Sequence, residues 1–230
     1  MENKKPKTVS FDDYVETYQK EIQSSISFIG QSADVFIELK ARYLIEIARR
    51  NLREISKIKI LDVGCGIGLT DHYLSSEFKN LYGVDVEGGV VGKAKEYNPS
   101  VNYQLYNGTS LPFPDETMDL VFAINVMHHI PPDDWKNFTK EMQRVAKTGG
   151  LVVVFEHNPL NPLTRLAVSR CEFDKDAVLL TKNSVKDLFL SANLELIENA
   201  YIIFSPFKNK IFRKMEERLE WLPLGAQYYV

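Results

Sequence analysis

The chain has 230 residues, a formal net charge of −3, 26% charged side chains and 44% hydrophobic ones. That length suits one α/β domain with a small addition and excludes a second catalytic domain. Acids and bases are mixed throughout with no basic tail, which argues against nucleic acid or an anionic membrane and toward a small partner.

The first seven residues, through Lys7, lack the apolar core of a signal peptide, and no stretch approaches the roughly 18 apolar residues of a bilayer span. Two cysteines, Cys65 and Cys171, make neither a disulfide framework nor a metal-ligand spacing. A reduced, cytoplasmic setting is the expectation. From Ser10, an N-cap followed by Asp12 and Asp13, the spacing predicts a helix through Phe11, Val15, Tyr18 and Ile22. After a loop at Gly30, a longer helix is expected through Val35, Phe36, Leu39, Tyr43, Leu44, Ile47 and Ala48, ending near Ser56. Both helices precede the first strand, so residues 1–56 read as an addition to an α/β unit over residues 57–230.

That strand is Ile58, Ile60, Leu61 and Val63, an apolar run suited to burial on both faces. It breaks into Gly64-Cys65-Gly66-Ile67-Gly68, where glycine permits angles and a close approach that a Cβ forbids. Leu69, Tyr73 and Leu74 then recur near helical spacing, so the turn is expected to enter a helix whose N–H groups face a ligand. A dinucleotide fingerprint needs G-x-G-x-x-G or A. From Gly64 its last position falls on Leu69 and from Gly66 on Asp71, so neither frame completes it.

The second strand ends at Asp85, roughly 20 residues after the glycines, the spacing of a carboxylate that accepts from ribose hydroxyls. Its alternative role is to cap a helix that begins near Glu87. A third strand, 101–106, opens into Asn107-Gly108-Thr109, and a fourth, 118–124, ends in Asn125-Val126-Met127-His128-His129. A helix is expected from Asp133, with Trp135, Phe138, Met142 and Val145 inward, stopping at residues 147–150. The fifth strand, 151–155, delivers Glu156, His157 and Asn158 to the sheet edge that also carries Asp62, Asp85 and Asn125. Polar groups converging from four strands are what a site at a topological switch point requires. Residues 161–174 read as an irregular insertion walling the substrate side. A helix over 184–191, a strand over 194–204, an amphipathic segment over 207–222 and a last strand over 226–230 complete the chain. The amphipathic segment starts basic but continues with Glu216, Glu217 and Glu220, which favours packing on the sheet over a membrane surface.

Asp62-Val63-Gly64-Cys65-Gly66-Ile67-Gly68, then Gly83-Val84-Asp85-Val86, the Asn107 to Pro114 stretch and Met118-Asp119 in that order resemble the class I S-adenosylmethionine (SAM) dependent methyltransferases, of the small-molecule, type 11-like kind. The resemblance covers roughly residues 57–230. It implies an α/β, Rossmann-like seven-stranded sheet, mostly parallel with an antiparallel last strand, under an N-terminal helical cap. It implies SAM as cofactor, S-adenosyl-L-homocysteine as product, no metal, and a small-molecule acceptor with an oxygen or nitrogen nucleophile, of the sugar or specialised-metabolite class. In the family Asp62 orients the glycine loop and the methionyl amine, Asp85 and Val86 sit at the ribose, and Gly108 and Thr109 offer backbone donors to the base. Asn107 stands where the family often has an acid, and its amide oxygen can still accept a bond from the adenine amino group. Asn125 and Val126 are expected at the cofactor too. The leader, with Tyr14, Tyr18 and then Phe36 and Lys40, resembles that of one subgroup. It makes Lys40 a cofactor contact and Tyr14 and Tyr18 substrate contacts, beside His157 and Asn158.

In such enzymes the methyl group arrives activated on a sulfonium, and a base is needed only for a nucleophile that arrives protonated. His129, His128, His157 and Glu156 are the candidates. His129 comes first because it follows Asn125 by one helical turn. Each assignment has a plainer alternative: tyrosines that pack with their hydroxyls in water, Lys40 on a solvated face, a histidine packed under the loop and bonded to backbone. Two other functions compete, a SAM-binding protein without turnover and an NAD(P)-dependent oxidoreductase. A nucleic-acid amino methyltransferase would carry N-P-P-Y after the fourth strand, where this chain has Asn125-Val126-Met127-His128. The chain is expected as a monomer or a homodimer.

Overall fold

The computed structural model describes residues 20, 23–24, 26, 30, 32–205 and 216–230. The expected helix through Phe11, Tyr14 and Tyr18 lies outside these residues, as does most of the amphipathic segment. In the part of that segment that is described, Glu216 is helical and 217–222 are turns and a bend.

Helix α1 is Ala33–Asn51, opened by Ser32, whose hydroxyl accepts from Asp34 N–H, and closed near Arg49 and Arg50, which suit the negative end of the helix. Next come β1 (Lys59–Val63), α2 (Leu69–Leu74), β2 (Asn80–Asp85), α3 (Gly88–Tyr97), β3 (Asn102–Leu105) and β4 (Met118–Ile124). A 3₁₀ turn, Met127–His129, precedes α4 (Trp135–Val145) and β5 (Ala146–His157). Then follow α5 (Pro162–Arg170), a 3₁₀ turn at Glu172–Asp174, α6 (Lys182–Ser191), β6 (Ala200–Ile202) and β7 (Gln227–Tyr229).

The seven strands form one sheet in the order β3-β2-β1-β4-β5-β7-β6. The pairs from β3 through β5 are parallel, and β7 runs antiparallel to both of its neighbours. The expected Rossmann-like α/β sheet with an antiparallel last strand is therefore present. Alternate strand residues feed opposite faces. Ile60, Leu120, Phe122, Val153 and Phe155 pack with Leu44, Ile47 and Ala48 of α1. Leu61, Val63, Val121, Ala123 and Val154 pack with Phe138 and Met142 of α4 and Val185 and Phe189 of α6. Helix α1 is thus rooted in the layer that covers one face of the sheet.

Three expectations need correction. Residues 162–170 are helical, not irregular: Asn161 is the N-cap, accepting from the N–H groups of Leu163 and Thr164, with Pro162 in the first turn. Strand β5 begins at Ala146, because Ala146 pairs with Met118 before the register shifts and resumes at Leu120 with Leu151. The extra residues form a bulge at which Gly149 has φ +78° and Gly150 lies too close to the Asp119 carbonyl for a Cβ. Strand β6 covers only Ala200–Ile202, since Ile203 has φ +62° and leaves the ladder.

Candidate functional site

Strand β1 turns outward through β2 to β3, and the chain then returns to place β4 on the other side of β1. The crevice at this switch point opens between the turn after β1 and the loop after β4. A cavity of about 750 Å³ occupies it, lined among others by Lys40, Asp62, Gly64, Cys65, Gly66, Asp85, Val86, Gly108, Thr109, Asn125, Val126, His128, His129 and His157.

The glycine turn is a closed shape. Gly64 and Cys65 N–H both donate to Val84 O, at 2.8 and 3.0 Å, Gly66 N–H donates to Asp85 Oδ2 at 2.9 Å, and Gly68 N–H donates to Cys65 O at 3.0 Å. These donors within the turn do not face a ligand, and a pyrophosphate would find them spent. A Cβ on Gly64, where φ is +79°, would stand 2.6 Å from Val126 Cγ2. The β4 loop therefore lies directly against the turn. Gly68 is the left-handed N-cap of α2 and does not line the cavity. Its carbonyl accepts from Asn98 Nδ2 at 2.8 Å, which anchors the turn to the end of α3.

Asp85 ties the glycine turn to the entry of α3, since its other oxygen accepts from Glu87 N–H at 3.2 Å. Both roles read from its spacing are open to it, for it lines the cavity while holding the entry to α3. Asn107 does not line the cavity. Its Oδ1 accepts from Thr109 N–H, Thr109 Oγ1 and Ser110 N–H, so the amide oxygen expected at an adenine is occupied in folding the loop.

Under the turn lies a pair missed by the sequence reading. Asp62 and Asp71 are both buried, and each has an Oδ1 without a hydrogen-bond donor. Burial, then the Asp71 charge, raises Asp62 well above the ordinary carboxylate range, while burial lifts Asp71 to about 7 against the pull of the Tyr103 hydroxyl, which donates at 2.8 Å. Both carboxyls are pushed toward the protonated form. Lys40 is buried at the same place, and burial lowers its ammonium to about 8 against the attraction of Glu156 and Asp62.

On the other side, Asn125 has φ +58° and a buried Oδ1 without a donor. The loop beyond it is held from behind by Glu156, whose Oε1 accepts from Val126 and Met127 N–H at 3.1 and 2.7 Å and whose Oε2 lies 2.5 Å from His128 Nδ1. Trp135 Nε1 donates to the Met127 and Ile130 carbonyls and fixes the loop's far end. Glu156 is buried and does not line the cavity. Asn158 does not line it either; its amide donates to the Pro223 and Gly225 carbonyls and ties down the chain before β7.

The histidines meet a partner that had no sequence signal. Asp174 Oδ1 lies 3.5 Å from both His128 Nε2 and His129 Nε2. Burial alone would lower His128, but Glu156 and Asp174 outweigh it and raise the imidazole to about 10. Burial and the His128 charge hold His129 and His157 at about 4. Asp174 is itself held at about 2 by the imidazoles despite its burial. Gln227, from β7, is a further cavity residue, with Nε2 3.4 Å from His157 Nδ1.

Residues 61–154 match the family model described as a methyltransferase domain. The chain is 34% identical over 103 residues to the 2-methyl-6-phytyl-1,4-hydroquinone methyltransferase of Synechocystis, covering 43% of this chain and 32% of that protein. The chain spans about a third of the length of several curated relatives that it matches in this way. It is 23% identical to a ubiquinone biosynthesis O-methyltransferase of Rhizobium johnstonii, covering 69% of this chain and 68% of that one. In fold it is similar to a SAM-dependent methyltransferase of Thermotoga maritima, described as a possible histamine N-methyltransferase, with a TM-score of 0.67, 18% identity and 95% of each chain covered. Over residues 61–154 the chain is similar in sequence to methyltransferase domains, and its sheet has the fold of the SAM-dependent methyltransferase structures it matches.

Proposed function

We propose that the protein transfers a methyl group from SAM to an oxygen or nitrogen nucleophile of a small molecule. The observation that carries this reading is the pairing, across one cavity, of a pre-shaped glycine turn flanked by Asp62, Asp85 and Asn125 with a cluster of imidazoles. The residues fit the cofactor. Asn125 Oδ1 and Asp62 Oδ1 are buried acceptors that lack a donor, which a ligand ammonium supplies, and Lys40 beside Asp62 suits a carboxylate. Asp85 at the end of β2 lines the cavity, where a carboxylate suits ribose hydroxyls. When bound, SAM supplies a methyl group on a positively charged sulfur, with that sulfur as the leaving group.

The chain's own part is to align and to keep water out. Ile37 and Phe36 of α1 and Leu163 and Val168 of α5 close the cavity with apolar side chains. His129 lines the acceptor side with Asp174 at 3.5 Å, the geometry of an imidazole that takes a proton from an incoming hydroxyl or ammonium while a carboxylate steadies it. Glu156 acts on the loop rather than on the acceptor. Residues 1–56 serve as the cap in this reading, supported by Ile26, Ala33, Phe36, Ile37 and Lys40, which all line the cavity. A cytoplasmic protein is supported by two cysteines that are buried and unpaired, and no helix among the described residues is long and apolar enough to cross a membrane.

The test is incubation with methyl-labelled SAM and a panel of small phenols, sugars and amines, with calorimetry for SAM and NAD alongside. Label in an acceptor supports the reading. SAM binding without transfer to any of them leaves a binding protein, and NAD binding without SAM binding overturns the assignment.

A further inference from the structure

Between the acceptor side of the cavity and β7 lies a second arrangement that methyl transfer by itself does not call for. His128, His157 and Asp174 each offer a ligand atom, and the three atoms lie within 4.8 Å of one another. The His128 Nε2 to Asp174 Oδ1 distance is 3.5 Å, close to the roughly 3.4 Å between two donors that share one tetrahedral ion at about 2.1 Å. The His128 and His157 rings are 5.1 Å apart and inclined at 51°, so they do not stack.

Each imidazole also has a partner behind it. Glu156 Oε2 sits on His128 Nδ1 at 2.5 Å, which fixes the proton on that nitrogen and turns the Nε2 lone pair toward Asp174. A carboxylate behind a ligating histidine is the recurrent support of metal sites. Behind His157 stands Gln227, buried, with an Oε1 that has no donor while its Nε2 faces His157 Nδ1. Turning that amide over gives Oε1 an N–H to accept and leaves the other imidazole nitrogen as a lone pair, so a single change satisfies the orphaned oxygen and prepares the ligand.

We propose that His128, His157 and Asp174 bind one divalent transition-metal ion, oriented by Glu156 and Gln227, with open positions toward the cavity that take an oxygen of the acceptor. Two imidazoles and one carboxylate suit zinc, iron(II), manganese or cobalt rather than magnesium or calcium. The inference rests on the methyl-transfer reading for what the ion would hold, and it extends that reading to an acceptor with an oxygen donor next to the methylated atom. Without a metal, a doubly protonated His128 that donates Nδ1–H to Glu156 and Nε2–H to Asp174 would satisfy the same groups.

The experiment uses the full chain stripped with chelator and titrated with cobalt(II), read by visible absorption and by metal analysis after gel filtration. The expected result is one cobalt per chain with a tetrahedral or five-coordinate spectrum, shifted on addition of acetohydroxamate, a bidentate oxygen probe. Asp174→Asn and His157→Ala should each lower cobalt affinity by at least tenfold while SAM binding, measured calorimetrically, stays within about threefold of the unsubstituted chain. Retained SAM binding also certifies that each variant is folded. Less than about 0.2 cobalt per chain in a protein that binds SAM overturns the metal site and leaves methyl transfer standing. Equal cobalt binding by the chain and both variants overturns the ligand assignment, and a spectrum indifferent to acetohydroxamate overturns the open position.

Discussion

Glu156 and His128 are joined at 2.5 Å in a fully buried pair, and the same carboxylate holds two backbone N–H groups of the β4 loop. Removing one member of a buried charged pair typically costs about 3–5 kcal/mol, because the other is left uncompensated. Glu156→Ala is therefore expected to lower unfolding free energy by about that amount, and Glu156→Gln by less. Urea unfolding of the three proteins measures it. A loss below about 1 kcal/mol for the alanine variant would mean that the loop is held by Trp135 alone.

Asp85 and Asp62 stand at opposite ends of the proposed cofactor, and ligand fragments separate their roles. Asp85→Ala should weaken both SAM and adenosine by roughly 1.5–3 kcal/mol, the range for charge-assisted hydrogen bonds. Asp62→Asn should weaken SAM and leave adenosine nearly unchanged. Calorimetry with each ligand decides, and equal losses for both ligands in the Asp62 variant would refute the assignment of its end.

The Asp62 and Asp71 pair predicts a pH effect. Both carboxyls are raised in the folded state, Asp71 to about 7 from an ordinary 3.8. Their contribution is full below that ordinary value and declines as pH rises through the folded one. Asp71→Asn removes one of the two titrating groups and leaves a neutral amide beside Asp62. Its melting temperature relative to the unsubstituted chain should rise by at least about 3 °C between pH 5 and pH 8. A difference that is flat, or that falls with pH, would show that Asp71 is not raised in the folded state.

Gly64→Ala should abolish measurable SAM binding, because the new methyl collides with Val126 and the backbone has φ +79°. Adding Val126→Ala removes the two closest contacts and leaves the Cβ of residue 126 at 3.3 Å, but does not remove the strained angle, which costs on the order of 1 kcal/mol. The double variant is expected to recover part of the affinity. No recovery would place the whole effect in the backbone.

Much of this was legible in the sequence where the signal was local. Strand β4 runs over the residues expected, since a run of apolar residues is bounded on both sides by polar ones. The glycine turn and Asp85 were readable from spacing. Helix α5 was missed because Asn161 and Pro162 signal a loop as readily as a helix start, and the hydrogen bonds that decide it come from the folded cap. Asp71 enters the sequence reading only as the position where the dinucleotide fingerprint fails, and its coupling to Asp62 arises from the fold. Asp174 and Gln227 reach the histidines only through the packing of the segment after α5 and through the antiparallel return of β7. No periodicity links them to His128. Asn107 was assigned by its position, but the Asx turn it makes claimed the oxygen first.

The glycine turn has a further consequence for exchange with solvent. Because the N–H groups of Gly64, Cys65, Gly66 and Gly68 already bond within the chain, their amide hydrogens should exchange slowly with deuterium before any ligand arrives, and ligand should slow them little. Ordering on binding would then fall elsewhere, at the side chains of Lys40 and Asn125 and at the apolar walls. Affinity would be gained without a folding step at the turn, and the fastest steps of association would be set by how the cavity opens.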